Sequence, residues 1–173
     1  MAAHIKSHVM LLTIAIAQPT SLPDLGRLHG VVQDLHAQLS PDIFRCDWLP
    51  SEVEVLWAAR LADPNSKVLI AMLDDRTVGY IWFEIVVRER DATHILRRRM
   101  HVHHIVVDKT ARSEGVGARL LAEAELEAGR RGISDITLDA WASNSIAQVF
   151  FGKRGYEPVY ISLTKKAKEF FKE

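Results

Sequence analysis

Hydrophobic and polar positions change period several times along the chain, and each change marks an element. Met10 to Gln18 is β-branched and aliphatic and reads as a strand. Leu25, Leu28, Val32, Leu35 and Leu39 then step by three and four, the apolar stripe of a helix. Ser21-Leu-Pro-Asp24 has the form of a capping box at its start, and Ser40-Pro41 ends it because the residue before proline avoids the α region. Ser51-Glu-Val-Glu54 repeats the capping pattern after a loop from Asp42 to Pro50, which predicts a second helix over Glu52 to Ala62. Asp63 to Ser66 reads as a turn, Lys67 to Leu73 as a buried strand, and Asp74-Asp-Arg as a hairpin turn into a long strand from Thr77 to Arg90. Polar residues around Asp91 to His94 interrupt it, and Ile95 to Val107 is expected to return as the antiparallel partner. Ser113 to Arg131 reads as a helix stopped by Gly132, Ile136 to Trp141 as a strand, Asn144 to Arg154 as a helix stopped by Gly155, and Val159 to Thr164 as a last strand. The order β-α-α-β-β-β-α-β-α-β predicts one α/β domain over residues 1–173 with a mixed sheet. Lys165 to Glu173 is a charged, weakly amphipathic tail.

The apolar run Val9 to Ile16, preceded by Lys6 and closed by Ala15-Ile-Ala17, also has the outline of an export signal. It is short, and a well-formed helix follows at once, so the strand reading is preferred, with a soluble, cytoplasmic protein expected. Lys+Arg and Asp+Glu balance at 22 each, which removes a global field for nucleic acid or membrane. The one cysteine, Cys46, excludes an internal disulfide and any multi-cysteine metal cluster.

Chemistry concentrates after residue 100. In His104-Ile-Val-Val-Asp-Lys-Thr-Ala-Arg112-Ser-Glu-Gly115-Val-Gly117 a strand ends, a short loop crosses and a helix begins. The first turn of a helix offers unpaired N–H groups and partial positive charge to a phosphate. Gly115 and Gly117 carry no Cβ to hold a bulky anion away, and Arg112 adds a charge-assisted contact. The pattern lacks the third glycine of a dinucleotide fold, since position 120 is Leu120, and it lacks the Lys-Ser/Thr ending of a P-loop. Downstream runs Asn144-Ser-Ile-Ala147-Gln-Val-Phe150-Phe151-Gly-Lys153-Arg-Gly155-Tyr156.

Together these two blocks resemble the GNAT-superfamily N-acetyltransferases. Arg112, Gly115 and Gly117 match the signature Gln/Arg-x-x-Gly-x-Gly/Ala. Asn144, Ala147, Phe150, Lys153, Gly155 and Tyr156 match the second block, Asn-x-x-Ala-x-x-Phe-Tyr-x-Lys-x-Gly-Phe. The resemblance implies a mostly antiparallel twisted sheet of six to seven strands with about four helices, splayed between the strands at 101–107 and 136–141. It further implies acetyl-CoA as cosubstrate and no metal. The pantetheine arm would lie along Ile105, Val106 and Val107, the latter two near the thioester oxygen. The pyrophosphate would rest on Ser113, Glu114, Gly115, Val116, Gly117 and Ala118, with Asn144, Phe150 and Lys153 completing the CoA site within a core of residues 101–156. The acceptor would be a primary amine on a small molecule or peptide, attacking directly in a ternary complex. A homodimer is compatible with this reading; nucleic acid and membrane are not expected as partners.

Three side chains are candidate bases for the incoming ammonium. Met100-His101-Val-His103-His104 places His101 and His103 on one strand face by alternation and His104 on the other. An imidazole titrates near neutrality, and arylalkylamine N-acetyltransferases carry a His-x-His pair at this place. Structural histidines, or a His-x-His metal pair without a third ligand at a telling spacing, are the competing readings. Glu84 is the rival base, set among Tyr80, Trp82, Phe83 and Ile85, where an ionised carboxylate is costly unless partnered. The family's tyrosine acid falls on Phe151, which leaves Tyr156, Tyr160 or water to protonate the thiolate. That departure keeps open a non-catalytic acyl-CoA-binding module of the same fold, and a nucleotide-phosphate binder is the third class. Arg88, Arg90 and Arg97 to Arg99 suggest an anion site or a solvated hairpin. Phe44 and Trp48 are expected to line the acceptor pocket or pack in the core, while His29 and His36 are expected at the surface or boundary of the first helix.

Overall fold

Asp74 and Asp75 both adopt left-handed backbone, φ 47° and 67°, the geometry a two-residue hairpin turn requires. This turn folds β2 (Ser66–Leu73) onto β3 (Arg76–Arg88). In the computed structural model, which describes residues 11–165, the chain divides into two compact units, Met1–Asp139 and Ala140–Glu173. The first holds a five-stranded sheet in chain order, with β1 (Leu12–Ile16) on β2 and β4 (Arg97–Val107) on β3, all antiparallel. The fifth strand, β5 (Asp135–Leu138), lies parallel to β4 and is reached through helix α3 (Val116–Arg130).

Helices α1 (Leu22–Leu39) and α2 (Pro50–Ala62) pack together over one face of the sheet. Leu25, Leu28, Val53, Trp57, Val68, Tyr80 and Trp82 form the core beneath them. The opposite face belongs to α3, whose Val116 and Leu120 approach Gly79 so closely that a Cβ there would meet both side chains at 3.3 Å and the Val106 carbonyl at 2.7 Å. Cover on both faces explains why β3 is buried without interruption from Thr77 to Phe83 rather than alternating.

Several expectations shift. The sheet has five strands, not six to seven, among the described residues. Val159 to Thr164 forms no strand: Val159, Tyr160, Ile161 and Leu163 are 76–89% exposed. A β-prone segment becomes a strand only when an edge pairs with it, and this one has no ladder. β5 stops at Leu138 instead of reaching Trp141, and α3 begins at Val116 because Ser113 and Gly115 are left-handed, φ 72° and 76°. Neither capping box forms as expected. Ser21 Oγ accepts from Gln18 N–H and closes a preceding turn, so Asp24 is not part of a box. The second helix starts at Pro50, where Glu52 accepts from Leu49 N–H at 2.8 Å, so Ser51 is not its cap. Gly132 and Gly155 do terminate their helices in left-handed geometry, with Ile133 N–H reaching Ala128 O and Tyr156 N–H reaching Phe151 O. Residues before Leu11 and most of the charged tail lie outside the described residues.

The second unit contains α4 (Ser145–Gly152), capped by Asn144, whose Oδ1 accepts from Ala147 N–H at 3.1 Å.

Candidate active site

The parallel pairing of β4 with β5 covers only Arg99 to Val102 against Asp135 to Leu138. Beyond Val102, β4 runs on for five residues with β3 alone. In an antiparallel pair, alternate residues turn their N–H and C=O away from the partner. Part of the backbone of His103 to Val107 therefore faces the side that β5 has left. Ile105, Val106 and Val107 lie in this stretch.

At the end of β4 the chain is tied down before it turns. Asp108, 8% exposed, accepts from Thr110 N–H and Oγ1 through one oxygen and from Arg27 and Arg76 through the other. The same Arg27 donates to Thr77 O at 2.6 Å, linking α1 to β3. Backbone and hydroxyl donors from Thr110, then the two arginines, hold the Asp108 carboxyl below the usual range, against some opposition from burial. The sequence reading missed this clamp; the Asp-x-Thr spacing, a turn signal, was the available clue. After it, Arg112 is exposed, Ser113 and Gly115 turn left-handed, and α3 starts. The first helical N–H to find a carbonyl is that of Arg119, on Gly115 O at 3.0 Å, so the amides of Val116, Gly117 and Ala118 project from the helix end. A Cβ on Gly115 would point into open space. Ser113 to Ala118 thus form a left-handed turn with open helix-end amides, and Glu114 is exposed beside it.

The histidines are arranged differently from the alternation forecast. Trp82 pairs with His104 but Phe83 pairs with Val102, so His103 is an extra residue in β4. A bulge of this kind breaks the two-residue period, and His104 stays on the face of His101 and His103 instead of crossing to the other. His103 stacks on Trp82 at 4.0 Å and 16° and lies edge-on to His101 at 4.6 Å. Its Nε2 is 3.1 Å from Glu84 Oε2, within ion-pair distance though not aligned as a hydrogen bond. His101 Nδ1 meets Thr137 Oγ1 at 3.0 Å, and its Nε2 is 3.6 Å from Asp139. Burial first, then His103 and Arg99, lower the His101 pKa against the pull of Asp139 and Glu84. Glu84 is less enclosed than its apolar neighbours suggested, with its side chain 30% exposed. The three candidate bases are neighbours.

Deeper on the same face, His104 Nδ1 contacts Tyr80 Oη at 3.2 Å, and its ring lies 6.1 Å from both His29 and His36. Burial, with Arg60 and the neighbouring imidazoles, depresses His104 to about 3, and burial with Arg60 and His36 depresses His29 to about 4. His29 is buried, contrary to the boundary position expected from helical spacing. Trp48 packs edge-on to His29 at 6.0 Å and Phe44 lies 4.7 Å from His36, so both border this cluster.

In the second unit Phe151 is buried and lies 5.8 Å from Tyr156, while Arg154 covers Phe150 at 3.7 Å. Lys153 is exposed. Asn144 acts there as the helix cap already described.

No curated protein matches the sequence closely enough to count. Solved structures share its fold. The BH1408 protein of Bacillus halodurans, in its tetramutant form, aligns at 22% identity over 90% of this chain and 99% of its own, with a TM-score of 0.81. The aminoglycoside N-acetyltransferase AAC(6')-Iy in complex with CoA aligns at 18% identity over 95% and 99%, TM-score 0.71. A ribosomal-protein-alanine N-acetyltransferase from Brucella melitensis biovar Abortus 2308 aligns at 18% over 91% and 100%, TM-score 0.65. At such identities these share the fold. The acetyltransferase (GNAT) family matches residues 33–156 in sequence, from the middle of α1 through Tyr156. By that match, the chain belongs to the GNAT acetyltransferase family.

Proposed function

We propose that the protein transfers an acetyl group from acetyl-CoA to a primary amine, by direct attack within a ternary complex. The observation that carries this reading is the end of β4: a strand that outruns its parallel neighbour by five residues and then enters the Ser113 to Ala118 cradle. An elongated thiol cofactor with a pyrophosphate fits those two features in sequence, its amide-bearing arm along Ile105 to Val107 and its phosphates on the open amides. Arg112 adds positive charge at the mouth. The family match over residues 33–156 takes in parts of both units, which supports reading the chain as one acetyltransferase domain.

The acceptor enters as an ammonium and must lose a proton before its nitrogen can attack the thioester carbon. His103, His101 and Glu84 form the relay. Thr137 Oγ1 lies 3.4 Å from the Met100 carbonyl and can donate to it, so Thr137 Oγ1 can itself accept from His101 Nδ1–H, which frees His101 Nε2 to take a proton. His103 and Glu84 pass the charge outward. The oxyanion that forms on the thioester oxygen is stabilised by a β4 amide at Val106 or Val107. The thiolate then departs, taking its proton from water or from Tyr156, since Phe151 cannot supply one. Most of the acceleration comes from positioning and the oxyanion contact.

Phe151 favours a second reading, a regulatory module that binds acyl-CoA without turnover. Calorimetry with acetyl-CoA and ATP, followed by thiol release across a panel of amines, separates the cases. Acetyl-CoA binding with turnover supports the enzyme. Binding with no thiol release from any amine favours the module, and ATP binding without acetyl-CoA binding sinks both.

A further inference from the structure

Three of the five arginines in the arginine-rich hairpin are already engaged. Arg97 pairs with Asp135 at 2.8 Å, Arg88 with Asp91 and His94, and Arg98 donates to the Arg131 carbonyl. Arg60, on the last turn of α2, is placed otherwise. Its guanidinium carbon lies over Trp82 at 3.7 Å and over Trp57 at 4.7 Å, half-buried, and its Nη1 is enclosed with no hydrogen-bond partner. Among the described residues no carboxylate reaches ion-pair distance of it. Glu84, already paired with His103, acts on it only through space. The Trp82 indole is itself fixed, its Nε1 donating to Ser66 Oγ at 2.9 Å.

Stacking on tryptophan stabilises a guanidinium but leaves its in-plane donors unused. A fork of donors on a rigid platform is suited to a carboxylate. His103 stacks within 4.0 Å of the same indole, and both groups fit only if they occupy opposite faces. The cation thus stands on one side of Trp82, and the His103–Glu84 pair on the other. A substrate that joined them would need its charges separated by roughly two stacking distances, more than an α-amino acid spans.

We infer that Arg60 binds a carboxylate of the acceptor, and that the substrate is a small amino acid whose amine and carboxylate are several bonds apart. Its ammonium meets Glu84 and His103 while its carboxylate meets Arg60. This rests on the acetyl-transfer reading above and adds the acceptor's class to it.

The test uses the full chain with acetyl-CoA and six acceptors: glycine, γ-aminobutyrate, 5-aminovalerate and the carboxamide of each. For wild type, kcat/KM should favour the two longer acids over their amides by roughly tenfold to a hundredfold, the range for a hydrogen bond to a charged group. Glycine should gain little. Arg60→Met should bring the acid-to-amide ratio of kcat/KM down to about one, with the loss in KM for the acids. Arg60→Lys should retain part of it, and carries the test if the methionine variant fails to fold. Calorimetric titration of 5-aminovalerate into the CoA-bound protein gives a readout that needs no turnover, and Arg60→Met should abolish that heat. Amides used as well as acids by wild type, or unchanged 5-aminovalerate binding in both Arg60 variants, would overturn the assignment. If no amine releases thiol although acetyl-CoA binds, the acetyl-transfer reading fails, and the calorimetric comparison still decides whether Arg60 holds a carboxylate.

Discussion

The turn after β4 and the histidine face of β4 are adjacent in sequence but are specified in opposite ways. The turn depends mainly on local backbone: Asp108 and Thr110 bond each other, Ser113 and Gly115 turn left-handed, and α3 starts because of them, with Arg27 and Arg76 on Asp108 as its ties to α1 and β3. The histidine face depends on distant partners. His104 meets Tyr80 from β3 and His29 from α1, and His103 rests on Trp82, which Arg60 of α2 covers from the other side. On the proposed function, the cofactor site is written into a short motif, whereas the acceptor site is assembled from several elements. Substitutions in the turn should therefore affect CoA affinity with little change in stability, and the histidine face should couple stability to pH.

The largest expected effect is on that face. His29 and His104 stay neutral when folded, at about 4 and about 3. In the unfolded chain both titrate near the ordinary value of about 6.5. Below that pH the unfolded state binds protons that the folded state refuses, so stability falls as pH falls. The slope is about 1.4 kcal/mol per pH unit for each group. Between pH 6.5 and 4.5 the two together should remove up to about 5 kcal/mol. The depressed carboxylates contribute only further down: Glu127, held to about 2 chiefly by Lys67 and further by Arg131 and Arg130, gives up its stabilisation only as pH falls below the ordinary carboxylate range. Urea midpoints at pH 7, 5.5 and 4.5 measure the slope, and His104→Gln should roughly halve it. A flat profile would mean that the face is not a buried neutral cluster.

Gly115→Glu is the matching test of the turn. It sets a carboxylate where the first-turn amides open, and like charge against a phosphate costs on the order of 4 kcal/mol, about a thousandfold in affinity for acetyl-CoA. The left-handed backbone adds about 1 kcal/mol of instability. Calorimetry and a thermal melt separate the two effects. Full acetyl-CoA affinity in this variant would remove the cradle from the cofactor site.

Replacing His101 and His103 together by alanine should lower kcat by about 100-fold and flatten its dependence on pH. The wild-type limb should rise with pH and be centred below 6.5, because burial lowers the His101 value. A double variant that keeps this limb would transfer the base role to Glu84 or water.

The same division explains what the sequence disclosed. Helix stops at Gly132 and Gly155, the Asp74-Asp75 hairpin and the glycine turn were all legible, because each depends on a few consecutive residues. The side taken by His104 was not, since the alternation rule fails at a bulge, and the bulge appears only when β3 is laid beside β4. Burial of His29 and the isolation of Arg60 were invisible for a similar reason: a helical stripe shows which residues share a face, but not what lies opposite. Val159 to Thr164 failed in the reverse direction, having strand composition without a paired edge.

Ser113 offers the smallest and most discriminating test of whether the turn is specified by local backbone alone. It sits at φ 72° without the freedom of its neighbour Gly115 at φ 76°. A non-glycine residue in this region carries a strain of about 1–2 kcal/mol. Ser113→Gly removes that strain but widens the unfolded ensemble, which returns roughly 0.5–1 kcal/mol. The net expectation is a gain of a few tenths to about 1 kcal/mol, a rise of a few degrees or less in Tm for a domain of this size. If conformation is all that Ser113 contributes, acetyl-CoA affinity should be unchanged in the same protein. A stabilised variant with several-fold weaker binding would assign the hydroxyl a direct contact with the pyrophosphate. A destabilised variant would show that distant packing holds the turn as well, and the contrast between the turn and the histidine face would lose its sharpest support.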